Sequence, residues 1–100
     1  MKLLIIMERE PFTHEFNTLI KLAEAGVNRN HNVQIFFLGN GVYCLLKKEL
    51  KDLKDKGIEI HYCNHNANQR GVKPESWAES NSTYGLAKLI KEADKIINLK

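Results

Sequence analysis

Apolar residues occur in short runs separated by polar segments, and their spacing changes from one run to the next. Lys2 to Met7 (KLLIIM) is a nearly unbroken apolar run. It predicts a strand covered on both faces, as in a parallel sheet. Glu8 to Pro11 break the run, and Pro11 favours an extended residue before it. Thr13 can then cap a helix, with Glu15 in its first turn facing the positive end of the dipole. Phe16, Leu19, Ile20, Ala23 and Val27 fall on one face of that helix, which Gly26 and the polar run from Asn28 to Asn32 should end. Val33 to Leu38 (VQIFFL) predicts a second buried strand, followed by a tight turn at Gly39-Asn40-Gly41.

Val42 to Lys56 reads as one helix with Leu46, Leu50 and Leu53 as its apolar stripe. Lys48/Asp52, Lys51/Asp55 and Asp52/Lys56 are opposite charges four residues apart, so this lysine run is a solvated helix face. Gly57 stops it. Ile58 to Cys63 (IEIHYC) alternates, which predicts a third strand with two unlike faces. Asn64 to Ser82 is a long polar stretch containing the lone tryptophan, Trp77. Connections of this length usually carry function or short elements of their own. Thr83 is a candidate cap for a last helix presenting Leu86, Leu89, Ile90 and Ala93. Asp94 to Leu99 (DKIINL) predicts a closing strand.

This order is α/β. It predicts three layers, α/β/α, around a mainly parallel sheet of four to five strands with right-handed crossovers, a flavodoxin-like architecture in a single domain over residues 1–100. Chemistry in such folds collects beyond the carboxyl ends of the strands. That edge holds Glu8 to Thr13, Gly39 to Cys44 and Cys63 to Gly71. Both cysteines fall on it.

Composition narrows the function classes. With 100 residues, 43% hydrophobic and 27% charged, the chain has the make-up of one globular core. Fifteen basic against 12 acidic residues give a net charge of +3, too mild to suggest direct nucleic-acid binding. No stretch approaches the ~20 apolar residues of a membrane span, and the apolar run Leu3 to Met7 is too short for a signal peptide. The expected location is therefore the cytoplasm, where Cys44 and Cys63 are free thiols.

Cys63 is the most informative residue. It closes a strand and opens a polar loop. Free cysteines are usually buried and inert, so packing at a strand end is the plain reading. The other reading is a nucleophile. Holding an ordinary thiol as thiolate at neutral pH takes about 2.7 kcal/mol. A helix N-terminus supplies up to ~2 kcal/mol. Arg70, or a protonated His65, is the candidate source of the rest. Cys44, near the start of the second helix, is a candidate secondary thiol if its Cα lies within about 7 Å of that of Cys63. His61, Cys63 and His65 alternate and would share one face if the strand ran on. A fourth zinc ligand at the usual short spacing is missing, so no metal is expected. Glycine-rich phosphate loops, Ser-His-Asp sets and paired carboxylates are absent, and no cofactor is implied.

Cys63, followed eight residues later by Gly71 within Arg70-Gly71-Val72, resembles the DsrE/DsrF and TusD group of sulfur-transfer proteins. In that group a cysteine at the end of a central strand precedes an Arg-Gly-hydrophobic turn and carries sulfur as a persulfide. The N-terminal KLLIIM strand, the FFLGNGVY segment and the closing GLAKLIKEADKIINL fit the same pattern, so the resemblance spans nearly the whole chain. It departs at Asn64, His65, Asn66 and Asn68, where the group often has small apolar residues, and in the first loop, Glu8 to Phe12.

The resemblance implies a small sulfur carrier. Cys63 would take sulfane sulfur from a protein donor and pass it to an acceptor thiol. Arg70 would assist catalysis, while Asn64, His65 and Gly71 would stabilise the anion. It also implies a homo-oligomer, from dimer to hexamer. The alternative is a non-catalytic oligomeric subunit, or a ligand- or metal-binding module of the same fold.

Overall fold

Five segments pair as parallel strands: β1 (Lys2–Met7), β2 (Asn32–Phe37), β3 (Glu59–Cys63), β4 (Glu79–Asn81) and β5 (Lys95–Leu99). They form one sheet in the order β4-β3-β2-β1-β5, in a computed structural model that describes every residue from Met1 to Lys100. Four α-helices connect them: α1 (His14–Asn28), α2 (Glu49–Asp55), α3 (Asn64–Gln69) and α4 (Thr83–Glu92). The expected α/β/α architecture is the one observed.

The pleat divides the apolar runs between two cores. Leu3, Ile5 and Met7 of β1 point to the larger core, with Val33, Ile35 and Phe37 of β2 and Ile58 and Ile60 around β3. Phe16 and Leu19 of α1, Leu50 and Leu53 of α2, and Ala67 of α3 cover that face. Leu4, Ile6, Phe36 and Cys63 point the other way, into a smaller core closed by Leu86 of α4.

Chain order explains this division. From β1 to β4 each step moves the same way across the sheet, and right-handed crossovers then put every connecting helix on one face. The step from β4 to β5 reverses direction and puts α4 on the other. The neighbours β3 and β4 therefore send their helices to opposite faces. Their carboxyl ends flank the crevice where such sheets bind ligands.

Several sequence expectations are corrected. The single helix over residues 42–56 is a 3₁₀ helix, Gly39–Leu46, followed by α2. Lys47 lies between them in an extended conformation (ψ 132°). Three residues per turn stack Val42 and Leu45 on the buried side, and Leu46, expected on the apolar stripe, is 63% exposed. The polar stretch 64–82 contains α3 and β4. Helix α1 runs past Gly26, which is buried against Val33, and ends where Asn30 takes a left-handed conformation (φ 65°). Thr13 occupies the cap position of α1, but its hydroxyl donates to the Glu10 carbonyl instead. Ser82, not Thr83, caps α4 and accepts from the Gly85 N–H at 3.1 Å. Trp77 packs against the larger core, and Tyr84 stands in solvent.

Candidate functional site

The crevice between β3 and β4 is occupied by a cleft of about 600 Å³. Cys63 contributes to its base, the first turns of α3 form one wall, and residues 80–83 form the other. Strand β3 stops at Cys63 because the next residues, Asn64, His65 and Asn66, are polar and poor strand formers. Ala67 is their apolar anchor, buried in the larger core. Cys63 thus becomes the cap residue of α3, with extended backbone (φ −77°, ψ 112°) and a side chain that does not cap the helix.

Cys63 is the one hydrophobic residue of the lining; the rest are asparagines, hydroxyl residues and His65. No carboxylate faces the cleft. Helices α3 and α4 both begin at its rim, so both present free N–H groups and the positive end of a dipole. The arrangement is neutral in formal charge and rich in donors, and so suits an anionic group. Cys63 itself is only 2% exposed, packed against Leu4, Ile6, Phe36 and Leu86.

The expected site residues separate into two groups. Asn64 and His65 are exposed on the first turn of α3 and line the cleft beside Cys63. Arg70 and Gly71 do not line it. They lie at the far end of α3, about 10 Å along the helix from Cys63. The Arg70 guanidinium donates through Nε to Asn40 Oδ1 at 2.8 Å and through a terminal nitrogen to the Asn66 carbonyl at 3.3 Å. Asn40 in turn donates to Glu10 at 3.0 Å, and Asn66 Oδ1 accepts from the Gly39 N–H at 2.8 Å. This network joins the loop after β1, the 3₁₀ helix and α3. A hydrogen bond from its own backbone, then one from Asn40, holds the Glu10 carboxyl below the usual carboxylate range.

Arg70-Gly71-Val72 is the end of a helix. Arg70 is the C-cap and Gly71 takes φ 66°, a left-handed conformation that favours glycine. The Val72 N–H bonds to the Ala67 carbonyl at 2.9 Å and the Gly71 N–H to the Asn68 carbonyl at 3.3 Å, closing a Schellman motif. Val72 is then buried in the larger core. Gly71, expected to stabilise an anion, stands outside the cleft lining and closes the end of α3.

Cys44 is in the larger core, on the opposite face of the sheet from Cys63. Its thiol donates to the Arg9 carbonyl at 3.4 Å. Burial, then the nearby Glu10 carboxylate, pushes it up to about 12. It cannot serve as a secondary thiol for Cys63, because the sheet lies between them. His61 and His65 also part company. The strand ends before residue 65, so the alternation does not continue and His65 turns away on α3. His61 instead stands beside Glu59 and Glu79.

Ser80, Asn81, Ser82 and Thr83 line the site with no signal in the sequence to mark them. Strand β4 has no apolar residue and no hydrophobic period to reveal it. Asn81 stands in register with Cys63. Its Oδ1 accepts from the Ser82 N–H at 2.9 Å, and a Cβ on Gly85 would overlap that oxygen.

A sequence model of the DsrE/DsrF-like family matches residues 1–99. Among solved structures, the ychN protein from E. coli superposes with a TM-score of 0.87 at 16% identity, covering 98% of each chain. A conserved protein of unknown function from Bacteroides thetaiotaomicron, BT1422, superposes with a TM-score of 0.78 at 21% identity, covering 98% of this chain and 94% of that one. These two likenesses concern the fold. No curated protein sequence matches the chain.

Proposed function

The chain belongs to the DsrE/DsrF-like family, associated with sulfur relay, and on that premise we propose that it carries sulfane sulfur on Cys63. One observation carries the reading. Cys63 sits at the reversal point of the sheet, at the base of a cleft with two helix N-termini at its rim and no acid. The Cys63 thiolate attacks the outer sulfur of a donor persulfide. A new S–S bond forms at Cys63 as the donor's S–S bond breaks, and the donor leaves as its thiolate. In the second step an acceptor thiolate attacks the outer sulfur of Cys63–S–SH, and Cys63 leaves as thiolate. Each step exchanges one S–S bond for another, so no external oxidant or reductant is needed.

Asn64, His65 and Asn81 would hold the transferred sulfur, together with the N–H groups that open α3. Arg70 acts at a distance, by fixing α3 to the 3₁₀ helix. Family members generally work in sulfur relay with partner proteins, and an open cleft suits donor and acceptor thiols delivered by such partners. Exposed Phe12, Leu46 and Tyr84 offer apolar surface for assembly into a homo-oligomer. No helix is long and apolar enough to cross a membrane, and a cytoplasmic carrier is consistent with that.

The burial of Cys63 among Leu4, Ile6, Phe36 and Leu86 favours a second reading, a non-catalytic subunit in which this thiol only packs. Intact-mass measurement separates the two. The Cys44→Ser protein, incubated with a persulfide donor, should gain the mass of one sulfur atom and lose it to an added thiol. The Cys63→Ser protein should gain nothing. An unchanged mass in the Cys44→Ser protein sinks the carrier reading and leaves the subunit.

A further inference from the structure

His61 is a buried side chain with an unused nitrogen. It is 7% exposed, and its Nε2 has no hydrogen-bond partner. That atom points between two carboxylates, 3.5 Å from Glu59 Oε1 and 3.4 Å from Glu79 Oε2. The sheet fixes the arrangement. Glu59 and His61 share one face of β3, and parallel register sets Glu79 of β4 directly beside His61. The imidazole lies parallel to the Phe36 ring, with an interplanar angle of 7°.

We propose that Glu59, His61 and Glu79 form a binding site for one divalent transition-metal ion of the zinc type. Three observations support it. The separations are long for N–H···O hydrogen bonds, which run about 2.7–3.2 Å. They match the edge of a tetrahedron around an ion with ligands at about 2.0–2.2 Å, which is about 3.4 Å. The three ligand atoms all lie within 4.8 Å of one another. Two carboxylates held that close repel, and a dication relieves the repulsion and leaves the site neutral with a neutral imidazole.

The surroundings fit as well. The Gln34 amide nitrogen lies 3.4 Å from both Glu59 oxygens, the place of an outer partner to a metal-ligating carboxylate. On the other side of the ring, the Asn81 amide nitrogen lies 3.5 Å from Nδ1; an ion on Nε2 puts the ring proton on Nδ1, so this amide must turn away from the ring when the ion binds. The carboxylates are 40% and 55% exposed, which leaves the outer coordination position open to water or an exogenous ligand. An imidazole ligand selects zinc-type ions over magnesium and calcium. Cys63, two residues farther along the same face of β3, supplies none of the three ligands.

The test is calorimetric titration of the untagged, metal-stripped chain with zinc chloride at neutral pH, with magnesium chloride as the control. One equivalent of zinc should bind, and magnesium should not compete. His61→Ala and Glu79→Gln should each weaken binding at least as much as the ~10–100-fold typical of losing an outer partner. Cys63→Ser should leave it unchanged. Glu79 is exposed, so Glu79→Gln reports even if His61→Ala fails to fold, as judged by circular dichroism. Absence of zinc uptake by the wild-type chain overturns the proposal. So does binding that survives Glu79→Gln, or binding that disappears with Cys63→Ser.

Discussion

Cys44 and Cys63 lie on opposite faces of one sheet, the first in the core under α1 and α2, the second in the core under α4. Each thiol is buried in its own core with the sheet between them, so an intramolecular disulfide requires unfolding. Only Cys63 also borders a cleft. Iodoacetamide treatment of the folded chain should therefore label Cys63, 2% exposed, slowly and Cys44 not at all, as located by peptide mass mapping. A label on Cys44, or a disulfide between the two under mild oxidation, would contradict this arrangement.

Cys44 also makes an alkaline prediction. Burial raises its folded value from 9.0 to about 12, so folding favours the protonated thiol. The associated stability is fully present below about pH 9 and is lost as pH rises toward 12. The shift corresponds to about 4 kcal/mol. Cys44→Ala should cost roughly 1–2 kcal/mol at neutral pH through the small cavity it leaves. Urea unfolding at increasing pH should then show the wild-type and variant curves converging above pH 9 and crossing at about pH 10, beyond which the variant is the more stable. Parallel curves would mean that the thiol titrates no differently in the folded chain.

The Arg-Gly pair separates stability from chemistry. No atom lies within 4 Å of a Cβ built on Gly71, so Gly71→Ala costs only backbone strain, about 1–2 kcal/mol. Arg70→Ala removes the bonds to Asn40 and Asn66, again about 1–2 kcal/mol. Each should lower the melting temperature by roughly 4–16 °C. Both folded variants should still load sulfur on Cys63. Loss of loading in folded Arg70→Ala would return the guanidinium to the reaction.

Much of this architecture is legible in the chain. KLLIIM and VQIFFL are buried on both faces, and that demand leaves no other pattern for residues 2–7 and 33–38. The site is legible only on the β3 side, where Cys63 ends an alternating strand. Its other wall is Glu79–Asn81, three polar residues at the sheet edge that bury nothing and owe their strand to backbone pairing alone. Without β4 the reversal in sheet order is invisible, and so is the crevice it creates. Arg70 misleads for a related reason. Adjacency in sequence suggests adjacency to the thiol, but a six-residue helix intervenes and carries the guanidinium to the other end.

Asn81 depends on the missing side chain of Gly85, and this gives the sharpest probe of the cleft. Gly85 is the third residue of α4, and its N–H is already used by the Ser82 cap. A methyl group there would overlap the Asn81 side-chain oxygen, and the obstacle is a movable amide rather than backbone. Gly85→Ala should therefore keep the fold. Alanine's better helix propensity, about 1 kcal/mol, offsets the loss of one Asn81–Ser82 hydrogen bond, about 0.5–1.5 kcal/mol. Net stability should change by less than about 1 kcal/mol. The displaced amide, however, leaves the cleft wall beside Cys63. If Asn81 holds the transferred sulfur, Gly85→Ala and Asn81→Ala should slow loading to a similar degree at nearly unchanged melting temperature. A Gly85→Ala chain that loads at the wild-type rate while Asn81→Ala does not would show that the amide finds another route into the cleft. Equal, undiminished rates in both would remove Asn81 from the site.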